Sequence, residues 1–421
     1  MLQLPDLTTT TLAVLDATDP LAAKREEFVL PKDTIYLDGN SLGAMPKVAA
    51  LRANQVLSEQ WSQDLIKSWN NHQWIDLPHT VGEKIAPLLG AAPGQVICCD
   101  STSVNLFKVL SCAMLMQPGR SKILSQAGNF PTDLYMVQGL ASLLGEQNCQ
   151  LVLVDDSKDP DALERAITAE IAVLLLTQVD FRSGRLLDMQ RLTALAHAQG
   201  VLVIWDLAHS AGALPIELDA WQVDFAVGCG YKYLNGGPGA PAFLYAASRH
   251  HTHLTQPLSG WMGHQAPFSF TTTYQKAPGI AQFLSGTPAI IAMSVLDAAL
   301  TVFADIAMQD VRHKSLALSH CFHQLVEQQP ALASLNLITP LQPSARGSQL
   351  AYQHPQAYAL CQALIKRGVI ADFRAPNILR LGFTPLYLRY ADMGNAVAIL
   401  ADIMDSQEYL KPEYAVKQKV T

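Results

Sequence analysis

The sequence predicts an α/β protein with a large domain, built on a mostly parallel seven-stranded sheet flanked by helices, and a smaller α+β domain. The chain has 421 residues, of which 49% are hydrophobic, and this is enough for a deep core in more than one domain. Apolar runs of strand length alternate with helical patterns in the middle of the chain, which indicates βαβ units. Residues 201–204 are apolar without interruption, which is typical of a strand buried on both faces of a parallel sheet.

The predicted elements follow one another along the chain. A charged N-terminal segment leads into a short strand at Ile35, and residues 46–90 have helical character. The seven strands of the large sheet are predicted at 95–99, 122–124, 150–154, 171–176, 201–205, 225–228 and 242–245, with helices at 161–169 and 189–199. Beyond Pro288, helices are predicted at 289–307, 310–330 and 357–367, and strands at 347–352 and 378–383.

These elements predict three parts. An N-terminal segment, residues 1–50, should pack with the small domain. Residues 51–290 should form the large domain, and residues 291–421 the C-terminal small domain.

Charge and hydropathy exclude two classes of protein. Lys and Arg total 29 against 36 for Asp and Glu, which gives a net charge of −7 and argues against a nucleic-acid-binding face. No apolar run approaches the roughly 20 residues that a membrane-spanning helix needs. We therefore expect an enzyme with a small-molecule substrate and neither nucleic acid nor membrane as a partner.

Cysteine and histidine usage indicate a reducing compartment and no metal. The seven cysteines are odd in number and show no CxxC pair, as expected for free thiols in the cytoplasm. Residues 1–6 show no basic segment before an apolar one, so no secretory signal is expected. His250, His251 and His253 form a cluster without acidic neighbours in sequence, which we interpret as solvated surface and not as a metal site.

One aspartate and one lysine indicate a particular cofactor chemistry. Asp206 ends the apolar run, and Lys232 follows 26 positions later between two tyrosines and before a glycine-rich turn. Such a lysine can form a Schiff base with pyridoxal phosphate (PLP), while the aspartate keeps the pyridine nitrogen protonated. Desolvation would lower the pKa of Lys232 and favour the neutral amine. The simpler alternatives are a helix cap for Asp206 and a surface charge for Lys232.

Polar residues after two other strands extend this hypothesis. Thr102 and Ser103 lie where an apolar helix begins, and hydroxyls with free backbone N–H groups bind phosphate well there. A plain N-cap is the alternative. Phe130 could stack on the cofactor ring or could be an ordinary core residue, and Asp133 is ambiguous.

Two further residues have open interpretations. Arg380 lies in an apolar, strand-like run, where its guanidinium requires a carboxylate partner, either the substrate's or a structural one. Trp261 lies in a glycine-flanked loop and could reach a subunit interface or the cofactor, or could be an exposed loop aromatic.

Together these motifs resemble the kynureninase family, PLP enzymes with the aspartate-aminotransferase-like fold. The Asp–Lys pair by itself indicates only the broad PLP superfamily, whereas the Gly-Asn-Ser-Leu-Gly and Asp-Leu-Ala-His runs are more specific. The resemblance covers most of the chain, through residues 36–43, 103–106, 130–133, 206–209, 231–235, 260–261 and 380–387.

The resemblance implies roles for individual residues. Lys232 would be the Schiff-base lysine and Asp206 the partner of the pyridine nitrogen. Further cofactor contacts are implied at Thr102, Ser103, Phe130, Pro131, Thr132, Asp133, Thr177, His209 and Tyr231, and at Trp261 and Thr287 from the neighbouring subunit of a homodimer. Substrate contacts are implied at Arg380 (the α-carboxylate anchor), Trp69 (beside the aromatic ring) and Asn40.

The implied activity is hydrolysis of the Cβ–Cγ bond of L-kynurenine to anthranilate and L-alanine, in tryptophan catabolism. Lys232 would move the α-proton, and Tyr231 would protonate the alanyl fragment. Thr287 stands at a position where some relatives carry asparagine. Together with Trp69, it favours L-kynurenine over the 3-hydroxy substrate. The sequence does not identify the base that activates water.

Two alternatives remain at this point. A lyase similar to cysteine desulfurases needs a nucleophilic cysteine on a mobile loop, whereas Cys321 and Cys361 lie in helical, apolar surroundings typical of inert thiols. A non-catalytic PLP-binding module usually carries a basic helix-turn-helix segment, and none is evident in this sequence.

Overall fold

The computed structural model describes residues 7–418; the prediction about residues 1–6 lies outside this range. The strands are β1 Phe28–Val29, β2 Ile35–Tyr36, β3 Met45–Pro46, β4 Val96–Cys98, β5 Lys122–Gln126, β6 Gln150–Val154, β7 Ile171–Thr177, β8 Leu202–Asp206, β9 Phe225–Cys229, β10 Ala242–Ala246, β11 Asn336–Leu337, β12 Gln349–Gln353, β13 Val369–Ile370, β14 Asp372–Arg374 and β15 Ile378–Gly382. The α-helices are α1 Thr9–Ala17, α2 Lys47–Gln55, α3 Ser68–Asn71, α4 Leu77–Ile85, α5 Thr102–Leu115, α6 Pro131–Leu144, α7 Ala162–Ala166, α8 Met189–Ala198, α9 Ile290–Ala299, α10 Met308–Glu327, α11 Ala357–Lys366 and α12 Tyr390–Asp405.

The large sheet confirms the predicted seven-stranded architecture. Its strand order is β4-β10-β9-β8-β7-β5-β6, and β10 runs antiparallel to both of its neighbours while the other pairs are parallel. Every residue of β7, β9 and β10 is buried. Val203 and Trp205 pack into the core on one face of the sheet, and Ile204 packs into the core on the other, because successive strand side chains point to opposite faces.

A second sheet of four antiparallel strands, in the order β11-β12-β15-β14, forms the centre of the C-terminal part. Its strand β15 places Arg380 opposite Ala351 on one side and Asp372 on the other. Strand β2 from the N-terminal segment pairs in parallel with β13, so this segment packs with the C-terminal part. The domain boundaries at 50 and 290 stay predictions.

Two predicted helices are shorter than expected. The helix expected over 289–307 ends as α9 at Ala299 and continues as a 3-10 turn over Leu300–Phe303. The hydroxyl of Thr301 donates to the Ala298 carbonyl at 2.7 Å, and β-branched residues disfavour continued α-helix. Helix α7 covers 162–166 and not 161–169.

The expectation that the histidine cluster is solvated and lacks an acidic partner is wrong for His250, whereas His253 is exposed. His250 Nε2 lies 2.8 Å from Asp224 Oδ1, and His197 Nε2 lies 2.8 Å from Asp224 Oδ2. Arg249 donates to the same carboxylate at 2.6 Å, as does the backbone N–H of Val203 at 2.8 Å. Among the described residues, no group of three or more His, Cys, Asp or Glu side chains could hold a metal ion.

Among residues 7–418, no single helix has the length and apolar composition to cross a membrane. One pair, Ile290–Phe303 with Met308–Glu327, passes by length and composition only when joined across a bend of 82°.

Replacing Asp224 by asparagine should lower the free energy of unfolding by about 1–3 kcal/mol, because the buried carboxylate accepts hydrogen bonds from His197, Arg249, His250 and the Val203 N–H that a neutral amide cannot all replace. Burial acts to raise the pKa of Asp224, but hydrogen bonds from His197 and His250 outweigh it and hold that pKa below its ordinary value. The stabilisation is therefore present above the pKa of an unfolded aspartate and is lost as pH falls through the lower folded value. Urea unfolding at neutral and acidic pH measures this stabilisation. Asp405→Asn, at an exposed position, is the control. Equal stability of D224N and wild type would contradict a stabilising role for the Asp224 carboxylate.

Candidate active site

The loops that follow the carboxyl ends of the large sheet converge on one cavity of about 150 Å³. Parallel strands bring the residues that follow them to the same sheet edge, where ligands of such folds bind. The lining residues are Thr102, Ser103, Phe130, Thr132, Asp133, Thr177, Phe181, Asp206, Ala208, His209, Tyr231 and Lys232. All the cofactor contacts predicted from one subunit are in this set except Pro131, which begins α6. Phe181 and Ala208 line the cavity but were not predicted.

Asp206 and Lys232 each influence the pKa of the other in this cavity. Asp206 is buried, and its Oδ1 accepts a hydrogen bond from the N–H of Ala208 at 2.7 Å. Burial raises the pKa of Asp206, while the positive charge of Lys232 and the Ala208 N–H act against that rise. Burial lowers the pKa of Lys232, and the negative charge of an ionised Asp206 acts against the fall. Burial thus disfavours the charged form of both groups, and the charge of each partly offsets this effect on the other.

His209 is held as a neutral ring. Burial, followed by the charges of Lys232 and Arg380, keeps the pKa of His209 well below its ordinary value. Its Nδ1 lies 3.0 Å from Gln349 Oε1, and Gln349 Nε2 donates to the carbonyls of Asp180 and Phe181 at 3.2 and 3.3 Å. Since this orientation presents an oxygen to the ring, Nδ1 carries the proton and Nε2 keeps a lone pair. Gln349 has no motif that sequence analysis could have recognised.

The part of the cavity wall formed by the start of α5 suits a phosphate group. Helix α5 begins at Thr102, and the Ser101 side chain caps it by accepting from the N–H of Val104 at 3.4 Å. The hydroxyls of Thr102 and Ser103 line the cavity beside the first-turn N–H groups of this helix, where the helix dipole favours an anion.

A buried acceptor without a partner shows that the cavity wall is built for a donor. Asp133 Oδ1 is buried and has no hydrogen-bond partner among the described residues, while Oδ2 accepts from Thr177 Oγ1 at 3.1 Å. Burial, and then the charge of Asp206, raises the pKa of Asp133 well above its ordinary value. An unsatisfied buried oxygen is costly, so a ligand donor at this wall would be stabilising. Together with the amine, the carboxylate and the hydroxyls, the donor set fits PLP.

Arg380 lies beyond the cavity on β15 and is fully buried. Its Nη1 donates to the Phe181 carbonyl at 2.6 Å, and its Nη2 donates to Ser41 Oγ at 2.8 Å and to the carboxylate of Asp372. With the Asn40 amide turned so that its oxygen faces the guanidinium, Oδ1 accepts from Arg380 Nε at 3.0 Å. The structural ion pair considered for Arg380 is therefore present, and its role as a substrate anchor stays a prediction.

Asp38 is a titratable group of this cluster; it lies within the 36–43 motif, but the sequence analysis gave it no role. Its Oδ1 is buried without a hydrogen-bond partner among the described residues. Burial and the negative charge of Asp372 raise the pKa of Asp38 to about 7, against the opposing effects of Ser41, Arg380 and Arg374. Ionising Asp38 near neutral pH therefore costs free energy in the folded chain.

Besides Pro131, Asn40 and Arg380, three predicted residues do not line the cavity of their own chain. Trp69 packs edge-on against Trp74 with ring centroids 6.0 Å apart. Trp261 is 36% exposed and contacts Phe268. Thr287 is exposed and lines a separate cavity of about 260 Å³. Their predicted roles, which for Trp261 and Thr287 require a neighbouring subunit, stay predictions.

Comparison with solved structures agrees with this architecture. The cysteine desulfurase CsdA from Escherichia coli superposes with a TM-score of 0.76 at 21% identity, covering 93% of this chain and 98% of that chain. A C-DES mutant with glycine covalently linked to its PLP cofactor gives a TM-score of 0.77 at 17% identity, over 90% and 99% of the two chains. At these identities the likeness concerns the fold, which is that of the fold-type-I PLP-dependent enzymes.

Sequence relatives specify the family. The kynureninase from Burkholderia pseudomallei (strain 1106a) is 49% identical over 412 residues, covering 97% of this chain and 98% of the relative. The kynureninase from Deinococcus radiodurans is 50% identical over 410 residues, covering 96% and 98%. A family model described as the kynureninase C-terminal domain matches residues 311–400. The chain belongs to the kynureninase family, which confirms the resemblance predicted from its motifs.

Replacing Asp38 by asparagine should stabilise the protein at neutral pH. The folded pKa is raised from 3.8 to about 7, so wild type loses stability as pH rises from about 4 to about 7, whereas the variant cannot ionise there. The difference in unfolding free energy should be near zero below pH 4 and approach at most about 4 kcal/mol above pH 7.

Denaturant unfolding across this pH range measures the effect. Asp33→Asn, at an exposed position five residues earlier, is the matched control and should show no such trend. A stability difference for D38N that does not change with pH would rule out the raised pKa.

Proposed function

We propose that this protein hydrolyses the Cβ–Cγ bond of L-kynurenine to anthranilate and L-alanine, using PLP held at Lys232. The observation that carries the proposal is 49% identity to curated kynureninases over 97% of the chain, combined with a cavity that contains both Lys232 and Asp206. We assign the reaction to tryptophan catabolism.

The cavity supplies a separate group for each part of the cofactor. Lys232 would hold it covalently, and Asp206 would pair with the ring nitrogen. Thr102 and Ser103, at the start of α5, would bind the phosphate, and the rest of the predicted set would contact the ring. When bound, PLP supplies an electron sink that makes the α-carbon of an amino acid acidic.

The protein's own groups then move the protons. Lys232 Nζ, with its pKa lowered by burial, is suited to accept the proton from the substrate's α-carbon near neutral pH. Burial raises the pKa of Tyr231, so its phenol stays protonated and is suited to donate to the β-carbon of the alanyl fragment. Lys232 Nζ lies 5.8 Å from the centre of the Tyr231 ring, so the two groups serve one reacting region.

Arg380 and Asn40 would orient the substrate's α-carboxylate. Arg380 is already paired with Asp372, so the substrate has to share the guanidinium with a resident carboxylate. The planar guanidinium has five N–H donors and can serve several acceptors at once.

The desulfurase alternative lacks the thiol that it requires. All seven cysteines are free and buried. Burial raises the pKa of Cys321, on α10, to about 12, and Cys361, on α11, donates its thiol to the Ala371 carbonyl at 3.4 Å. Because the thiolate is the nucleophile, these buried thiols favour C–C hydrolysis over sulfur transfer. A non-catalytic module is disfavoured because Lys232, Asp206 and Tyr231 all line the cavity.

The proposed enzyme is a homodimer with shared active sites. Trp261 and Thr287 are exposed in one chain and lie outside its own cavity, as expected for residues that complete a neighbour's site. Exposed apolar side chains surround Trp261, including Phe268 at 62% and Phe270 at 75% exposure, and a second copy would cover them. A cytoplasmic location is proposed on the basis of the free thiols.

Purified protein supplied with PLP and L-kynurenine should release fluorescent anthranilate, with an equimolar amount of alanine. Lys232→Ala should abolish the visible absorption of the lysine–cofactor bond and lower kcat by about a thousandfold or more, because the covalent link and the proton acceptor are both lost. Lys158→Ala, at an exposed lysine, is the control. Cofactor binding without anthranilate release, or a borohydride adduct at another lysine, would refute the assignment.

Thr287→Asn should change substrate preference. If Thr287 faces the substrate ring of the neighbouring site, the amide adds a hydrogen-bond partner for a ring hydroxyl. The variant should then favour the hydroxylated kynurenine over kynurenine, with the ratio of the two kcat/KM values shifted by about tenfold. Steady-state kinetics with both substrates measure the ratio. Thr273→Asn, in an exposed stretch of the same region, should leave it unchanged; an unchanged ratio in T287N would remove Thr287 from the substrate site.

A further inference from the structure

Helix α5 contains a lysine for which the proposed mechanism has no use. Lys108 is fully buried, and its neighbours Leu106, Val109 and Leu110 belong to the apolar core. Its Nζ donates to Asp100 Oδ2 at 2.6 Å and to the backbone carbonyl of Phe283. A fully buried lysine is rare and costs desolvation free energy, so its hydrogen bonds to Asp100, on the preceding turn, and to Phe283, 175 positions away, indicate a structural role.

The first partner controls the turn at the phosphate end of the cavity. Asp100 has a φ of 50°, in the left-handed region that is strained for a residue other than glycine. Its carbonyl accepts from the N–H of Ala242 at 3.0 Å, and its carboxylate is bound by Lys108. Since Asp100 comes just before Ser101, Thr102 and Ser103, the ion pair with Lys108 fixes the conformation from which the phosphate-binding hydroxyls project.

The second partner belongs to a separate surface that we call the ledge, made of residues 260–263 and 283–287. The N–H of Met262 donates to the Ser285 carbonyl at 3.2 Å. A Cβ atom on Gly260 would lie 2.2 Å from that carbonyl oxygen, and one on Gly263 would lie 2.3 Å from the Leu284 oxygen. Because only glycine permits this approach, the two backbone segments are in direct contact.

The ledge carries the two residues assigned to the neighbouring subunit. Trp261 lies between the two close-packed glycines, and Thr287 follows two positions after Ser285. Lys108 is hydrogen-bonded to Phe283, where the ledge's second segment begins. One ammonium group thus contacts both the turn of its own active site and the ledge.

We propose that Lys108 is a positioning residue that couples the two active sites of the dimer. It fixes the Thr102–Ser103 turn for its own cofactor, and it fixes Trp261 and Thr287 for the neighbour's cofactor. The inference rests on the proposed function and on the proposed homodimer. An ammonium suits this task because its three N–H groups can serve a carboxylate and a carbonyl at once; methionine fills similar space and serves neither.

The first experiment compares cofactor affinity in Lys108→Met and wild type by titration with PLP. We expect about tenfold to a hundredfold weaker binding, the range found when a residue that orients direct ligands is removed. Lys314→Met is the matched control, since Lys314 is also buried and its Nζ binds Asp19 and the Pro385 carbonyl, each at 2.6 Å. Loss of stability is expected in both variants, and loss of cofactor affinity only in K108M. Equal affinities in all three proteins would overturn the proposal.

Mixed dimers separate the two effects of Lys108. When one subunit carries Lys232→Ala, only the other subunit has the lysine that bonds to PLP. The visible absorption of the covalent bond therefore reports PLP binding at that one site. In the first mixed dimer, the subunit that retains Lys232 carries K108M, and its own turn is released. In the second mixed dimer, the K232A subunit carries K108M. Its ledge, no longer held by Lys108, contributes Trp261 and Thr287 to the site of the subunit that retains Lys232. The reference dimer carries K232A in one subunit and no other change.

Both mixed dimers should bind PLP more weakly than the reference at their single reactive site. A residue that only stabilises its own subunit would affect the first dimer and leave the second unchanged, and that result would overturn the coupling. Cofactor affinity does not depend on turnover. Failure of wild type to release anthranilate would therefore refute the proposed reaction, while the Lys108 comparison would stand by itself.

Discussion

The interaction between the buried side chains of Asp206 and Lys232, at the carboxyl edge of the large sheet, is the constraint on which the rest of the site depends. Burial raises the pKa of Asp206 and lowers the pKa of Lys232, which favours the neutral form of each group. The charge of each group limits the pKa shift of the other. The pair can exist only where the parallel strands β8 and β9 end side by side. Residues that follow neighbouring strands then supply the remaining contacts within one small cavity.

A second feature joins this edge to the C-terminal sheet. The Phe181 carbonyl accepts hydrogen bonds from Gln349 on β12 and from Arg380 on β15. The Phe181 ring packs edge-on against Phe130 with centroids 5.1 Å apart, and Gln349 also fixes the proton of His209. The predicted substrate anchor and the walls of the cofactor cavity therefore share one hydrogen-bonded junction. A change in the engagement of Arg380 would be transmitted directly to the residues around the cofactor.

Sequence patterns predicted the parts of this protein that depend on local periodicity or on a motif. The seven strands of the large sheet follow from apolar runs, and Asp206, Lys232, Thr102 and Ser103 follow from polar residues near the ends of these runs. Other cavity residues, such as Thr177, were predicted only from the family resemblance. No motif marks Phe181, Gln349 or Lys108, and Asp38 was given no role although it lies in the 36–43 motif. Their importance depends on contacts that folding supplies, such as the hydrogen bond from Lys108 to the Phe283 carbonyl. The pairing of His250 with Asp224 was missed for the same reason, since 26 positions separate the two residues.

The sequence by itself determined the sheet, the cofactor chemistry and the family, because these reside in the order of residue types along short segments. Tertiary structure decided the charge state and the partner of each buried group: that Arg380 is already bound to Asp372, that Asp38 titrates near neutrality, and that Lys108 connects two loops. Such properties depend on desolvation and on distances of a few ångströms between segments, and these exist only after the chain has folded.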